Sequence, residues 1–338
     1  MSAVSGFNGI TAVSASNGPA GTVNVIGGTG SNQAQLGGAG GTFWANTILT
    51  FGSGNVYLNG TTTSWTFGAL AGGSDGAGTL GTKIGFDNNS GKTITINGIA
   101  NANFGGVIFN GSGSAGANNL VKTGSATQTL SAANTYTGLT TVNGGTLSIT
   151  GSINNSATIA VNGGTLSTSN ADKLANAAAV TVAGGTLTVG GNDTVGSLTM
   201  SSGTIGGSST LTAATYTLSG GTVNGNLGAG TVNSSGTVAL NGTSGAATVN
   251  VTAGTLTLGS ADRLSNTAAV TVSGGALVLA NNNDTVGTVV LSGGNITGTG
   301  GTLTGSSYDV RSGSASANLG GIGVALTKTT AGTATLAG

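Results

Sequence analysis

From Leu120 onward, short runs of alternating apolar and hydroxyl residues are broken by glycine corners. In the stretch LVKTGSATQTLSAANTYTGLTTVNGGTLSI, residues 120–149, Val142, Leu147 and Ile149 fall to one side and Thr141, Thr146 and Ser148 to the other, flanking the corner Asn143-Gly144-Gly145. Side chains alternate faces along a strand, so the pattern predicts strand, corner, strand. The second corner glycine recurs as Gly145, Gly164, Gly185, Gly203 and Gly221, in steps of 19, 21, 18 and 18 residues. It returns at Gly254, Gly275 and Gly294, in steps of 21 and 19. A period near twenty residues is the signature of a solenoid. The predicted fold is all-β, a right-handed single-stranded parallel β-helix with rungs of about 18–21 residues. Position relative to the corners predicts that Val142, Leu147, Ile159, Val161, Leu166, Val182, Leu187, Leu198, Leu256, Val272, Leu277 and Leu303 face inward.

One rung cannot fold by itself. Ordering costs ~1–2 kcal/mol of backbone entropy per residue, while each of about five buried aliphatic side chains contributes ~1.5–3 kcal/mol. Stacking closes the core above and below each rung and pairs its backbone at ~4.8 Å spacing. Val182, Leu187 and Val189 are expected over Val161 and Leu166 and under Leu198 or Ile205. The single proline, Pro19, fits strands that must hydrogen-bond on both edges. A longer period overlies the short one: Ala171-Asp172-Lys173-Leu174 recurs as Ala261-Asp262-Arg263-Leu264, and Asn192-Asp193-Thr194-Val195-Gly196 as Asn283-Asp284-Thr285-Val286-Gly287. Tyr216 corresponds to Tyr308, which makes the repeat a duplicated block of four or five rungs.

Residues 120–149 resemble the autotransporter-associated β-strand repeat of bacterial passenger domains, whose pattern runs L-x-K-x-G-x-G-T-L-x-L-S-G-x-N-T-Y-x-G-x-T-x-V-x-x-G-T-L. Ala171 to Met200 is similar to the segment that follows this repeat, so the resemblance covers about two thirds of the chain. Ser125-Ala126-Thr127 and Gln128 stand where the family has small residues and glycine, a departure expected to blur one turn without disturbing the strand columns.

Residues 1–118 differ in texture from 119–338, holding all seven Phe together with Trp44 and Trp65. Alternation persists in Asn55-Val56-Tyr57-Leu58 and Thr93-Ile94-Thr95-Ile96, each closing on an Asn-Gly turn, at Asn59-Gly60 and Asn97-Gly98. Less regular rungs with internal aromatic stacks are expected here, with a hairpin-rich cap as the competing reading.

Composition narrows the chemistry. Seven basic residues balance seven acidic ones, giving no electrostatic footprint for nucleic acid. No apolar run is long enough for a membrane-spanning helix. His and Cys are absent, and all seven acidic residues are Asp. Thiol and imidazole catalysis, imidazole or thiolate metal sites and Glu-based acid–base pairs are therefore removed together. The remaining carboxylates are Asp75, Asp87, Asp172, Asp193, Asp262, Asp284 and Asp309. Paired Asp on a β-helix could serve glycoside chemistry, but Asp172/Asp262 and Asp193/Asp284 are repeat mates several rungs apart, which points to turn and cap roles. Gly190-Gly191-Asn192-Asp193 is a fragment of a calcium nonapeptide that does not recur at nine residues. Thr186-x-Thr188, Thr255-x-Thr257, Thr302-x-Thr304, Thr146-x-Ser148 and Thr165-x-Ser167 could form an ice-like ladder, although Thr also suits any outward strand face. The ladder is broken at Ala276-x-Val278. Tyr136 could stack on a sugar, yet its company with Tyr216 and Tyr308 in turn-rich segments points to corner packing. No catalytic, cofactor-binding or metal-binding residue is assigned.

The resemblance implies a non-catalytic structural or adhesive module, extracellular or on the outer-membrane surface of a Gram-negative cell and exported by the type V route. An unidentified surface receptor or glycan would be its partner. The alternative from residue chemistry is a carbohydrate-active β-helix enzyme, which requires two Asp side chains to converge in a groove. MSAVSGFNGITAV lacks the basic and apolar regions of a signal peptide. LTKTTAGTATLAG, residues 326–338, aligns on residues 120–132 and stops inside a repeat unit. Both ends suggest a fragment of a longer passenger, with end-to-end self-association into a filament as the competing expectation.

Overall fold

The computed structural model describes residues 21–25, 34–36, 41–52, 54–58, 63–74, 81–86, 91–111 and 116–338. Pro19, Asn59-Gly60, Asp75 and Asp87 lie outside them. The chain divides into two compact units, Met1–Ala178 and Ala179–Gly338. The change in texture between residues 118 and 119 therefore falls inside the first unit.

All described strand pairs of the first unit are parallel, and they form three ladders. One runs Ser64–Gly72, Thr93–Ile96, Asn119–Lys122, Leu139–Val142, Thr158–Val161. A second runs Ala102–Phe104, Thr127–Leu130, Thr146–Ile149, Thr165–Thr168. The third runs Ala34–Leu36, Asn55–Leu58, Lys83–Phe86, Val107–Ile108. Each turn of this β-solenoid thus offers three strands, and its inward side chains fill the space between them. Trp65 and Ile94 are ladder partners 29 residues apart, and Ile94 and Leu120 are 26 apart. These rungs are longer than those after Leu120, and aromatic residues fill their interior. Trp65 and Phe67 stack at 6.2 Å, Phe51 and Phe104 meet edge-on at 5.1 Å, and all four are buried.

The second unit is also a parallel solenoid. Its rungs span 18 residues from Val180 to Leu198 and 21 from Val249 to Val270. They shorten to 16 from Tyr216 to Val232 and to 17 from Val232 to Val249, below the expected range. These short turns occupy the gap that the glycine series left between Gly221 and Gly254, where the chain turns through Ser234-Ser235-Gly236 instead of a Gly-Gly pair. Passing from Val180 to Val270 takes five ladder steps, which sets the duplicated block at five rungs.

The twelve predicted core residues are all buried, none more than 1% exposed. Leu187 lies against Ile205 as expected, but Val182 pairs with Met200 and Leu198 with Val180. The ladder shifts register between Val182 and Ala183, so columns before and after the corner are offset differently. At the corner of residues 143–145, Gly145 adopts φ +60°, and a side chain there would crowd the carbonyls of Gly124 and Ala126 in the preceding rung.

Candidate functional site

The segment 120–149 has an unusual interior. Elsewhere the inward columns are aliphatic, but here they carry Lys122 and Gln128, both buried. Lys122 stands in the column between Ile96 and Val142. Its ammonium donates to the carbonyls of Thr123 at 2.5 Å and Gly144 at 3.3 Å, capping the corners of two successive rungs. Burial pushes its pKa down to about 8. Gln128 pairs by Cα with Ala102 below and Leu147 above, so the strand columns are undisturbed, as expected. It belongs to a strand, however, and not to a blurred turn. Its carboxamide reaches past Ala102 to Leu70, accepting the Leu70 N–H at 3.0 Å and donating to the Leu70 carbonyl at 2.9 Å. The ladder between Ser64–Gly72 and Ala102–Phe104 holds at Gly72 and Phe104, and the Gln128 side chain supplies partners where Leu70 has no strand to pair with.

Asn134 and Tyr136 of the NTYTG run are buried as well. Asn134 accepts the Ile108 N–H at 2.9 Å and donates to the carbonyls of Ala132 at 2.9 Å and Ser152 at 3.0 Å, tying three rungs together. The Tyr136 hydroxyl meets the Thr140 hydroxyl at 2.7 Å, which meets that of Ser156 at 2.8 Å, and Ser156 donates to the Gly138 carbonyl at 2.7 Å. Burial drives the Tyr136 phenol well above its ordinary pKa. An enclosed ring cannot stack on a sugar, so Tyr136 is a packing residue. Tyr216 and Tyr308 plug equivalent corners: the Tyr216 hydroxyl accepts the Ala213 N–H at 2.8 Å, and that of Tyr308 accepts the Gly305 N–H at 2.6 Å.

The carboxylates separate into three kinds. Asp172 and Asp262 are exposed corner residues with φ +55° and +54°, a conformation that Asp tolerates better than most side chains. Asp309 is held below the usual carboxylate range by Arg311, whose guanidinium donates to it at 2.7 Å, and by the Thr329 hydroxyl. Asp193 and Asp284 are buried at strand starts. Asp193 accepts the N–H of Thr194 at 2.9 Å. Asp284 accepts the backbone N–H groups of Arg263 at 2.7 Å and Leu264 at 3.1 Å through Oδ2, while its Oδ1 is buried without a partner.

Carboxylates are brought near one another by adjacent rungs rather than by repeat correspondence. The Asp262 N–H donates to the Asn283 carbonyl at 3.0 Å, next to Asp284, and the Asp262 charge adds to the effect of burial on Asp284. Burial is the larger cause, and together they push the Asp284 pKa up to about 6, against the two backbone N–H bonds and Arg263, which pull it down. Between the ordinary carboxyl range and pH 6 the folded chain keeps a proton that the unfolded chain releases. Stability is therefore expected to fall as pH rises through this window, by on the order of 2–3 kcal/mol from this one group. Urea denaturation midpoints for the parent and Asp284→Asn, measured between about pH 4 and pH 7, check this, because the variant should lose that part of the slope.

Among the described residues, no group of three or more His, Cys, Asp or Glu side chains stands close enough to hold a metal ion. The Thr columns are interrupted. Thr146 and Ser148 lie against Thr165 and Ser167, but Thr188 faces Gly206 and Thr257 faces Val278. Thr302 and Thr304 belong to a different ladder, between Asp284–Thr285 and Asn318–Gly320. Three strands per rung split a series that a single period placed on one face. More continuous are asparagine pairs that the sequence reading missed: Asn162 donates to Asn143 at 3.0 Å, Asn241 to Asn224 at 2.8 Å and Asn250 to Asn233 at 2.9 Å. A recurring Asn-Gly at the corners was the available signal for the first two pairs.

Residues 120–149, the span holding Lys122, Gln128, Asn134 and Tyr136, match the family model described as the passenger-associated-transport-repeat. No curated protein and no solved structure matches the chain.

Proposed function

With residues 120–149 matched to the passenger-associated-transport-repeat and the strands stacked as a parallel β-solenoid, the chain fits an autotransporter passenger domain, and from that premise we propose that it is a non-catalytic structural or adhesive module, displayed on or released from a Gram-negative cell surface. The observation that carries the reading is the matched repeat seated inside the first unit's solenoid, in register with the rungs on either side. The missing His, Cys and Glu support the non-catalytic part. Outward rows of Thr, Ser and Asn offer uncharged hydrogen-bonding groups, which suit a glycan or protein receptor better than a polyanion. Intact cells expressing the full reading frame should lose the module to added protease and bind antibody against it. Retention inside unbroken cells would overturn the surface assignment.

The carbohydrate-active alternative has one observation in its favour, the protonatable Asp284 one rung from Asp262. Against it, Asp284 is enclosed and its Oδ2 is committed to two backbone N–H groups. Purified protein should release no reducing ends or unsaturated sugars from a polysaccharide panel. Cleavage abolished by Asp284→Asn would establish the enzyme instead.

A further inference from the structure

Aliphatic columns hold a solenoid together but do not say which rung belongs next to which. Leu147 and Leu166 are ladder neighbours of the same type, as are Val142 and Val161. A chain that skipped one turn would still bury leucine on leucine. Register in a sheet is specified only where a wrong pairing is penalised.

The matched segment contains such penalties, directed both ways along the axis. Backward, Gln128 finds its Leu70 partners only with the rung of Ala102 in between, and Asn134 needs the Ile108 N–H. Forward, the Tyr136 hydroxyl needs Thr140, and Thr140 needs Ser156. If residues 139–157 were skipped, Ile159 would stand where Thr140 stands, because the two are ladder partners. Ala178 would stand in place of Ser156: each closes the same kind of turn, Ser156 N–H on the Ile153 carbonyl and Ala178 N–H on the Ala175 carbonyl. The buried phenol would then face two apolar side chains.

We propose that the rung of residues 119–138 is a register key, whose buried Gln128, Asn134 and Tyr136 groups are satisfied in one stacking order alone and so reject turns that skip a rung during folding. This role concerns how the solenoid assembles and is independent of where the protein is finally displayed. Buried polar groups fix pairing order by the cost of leaving them unpartnered, whereas apolar replacements of similar shape preserve burial and lose discrimination.

The chain has no cysteine, so engineered pairs report register without background. Thr129 and Ser148 are ladder partners, as are Ser148 and Ser167. Adjacent rungs lie about 4.8 Å apart, within reach of a disulfide, and alternate rungs about twice that, beyond it. The test refolds Thr129→Cys/Ser148→Cys and Thr129→Cys/Ser167→Cys from urea in oxidised and reduced glutathione and scores the cross-link by non-reducing peptide mapping. In the otherwise unaltered chain the first pair should close and the second stay open. Adding Tyr136→Phe, Thr140→Val and Ser156→Ala should raise closure of the second pair about tenfold or more, since the skipped turn no longer strands a hydroxyl. Tyr136→Phe alone, which leaves the Thr140–Ser156 bond in place, guards against a triple variant that does not fold and should raise it in the same direction. If the skipped-turn pair stays open in every background that regains a β-sheet circular-dichroism spectrum, or closes equally in the unaltered chain, the register key is overturned.

Discussion

Leu187→Asp is expected to abolish cooperative unfolding of the second unit. Leu187 is fully buried and stacks on Ile205, in a column with no charged neighbour to receive a carboxylate. The substitution removes a leucine's burial and leaves a cavity, together about 2–5 kcal/mol. It also places a carboxylate where it must stay unpaired or take up a proton, which costs several kcal/mol more. The sum approaches the ~5–15 kcal/mol that stabilises an ordinary domain. Circular dichroism at 25 °C should show lost strand signal and no sigmoidal melt. The outward neighbour supplies the control: Thr188→Asp should stay within about 1 kcal/mol of the parent. A Leu187→Asp melt that overlays the parent would contradict the inward assignment.

Gly124→Ala is expected to be the most damaging single methyl addition near the passenger repeat. Gly124 has φ +66°, and a Cβ there would overlap the Asn97 carbonyl of the preceding rung and lie 3.0 Å from the Gly98 carbonyl. Those atoms are backbone and cannot rotate away, so the rungs must separate at the corner that Lys122 caps. Strain and displacement together should cost about 2–4 kcal/mol. Gly91→Ala separates the two causes, because Gly91 has φ +75° with nothing within 4 Å of its Cβ position. That variant should lose only the conformational part, about 1 kcal/mol. Urea midpoints at constant m-value would measure both, and equal losses would mean that close stacking of the corners contributes nothing.

Lys122 and Gln128 show where pattern reading loses its hold. Both occupy inward positions, yet a polar residue in an alternating run gives no sign of whether its parity points in or out. The family resemblance marked Gln128 as a departure, but the meaning of that departure lies 58 residues away at Leu70. The Asp residues were misleading in the same way. Comparing the two blocks pairs Asp193 with Asp284, whereas the solenoid sets Asp284 beside the corner of Asp262. Equivalence in sequence is similarity of environment, and neighbourhood in a solenoid is one rung of separation.

The sequence by itself determined the parallel solenoid, its inward columns and the glycine corners of its regular part. These follow from side-chain parity and a step near twenty residues, both local properties that every rung repeats. The three-strand cross-section, the short rungs between Tyr216 and Val249, and the polar interior of residues 119–138 were decided by the tertiary structure. Each depends on which backbone groups lie above and below once the chain has wound. A hydrogen bond between rungs is set by that stacking distance and leaves no period in the chain.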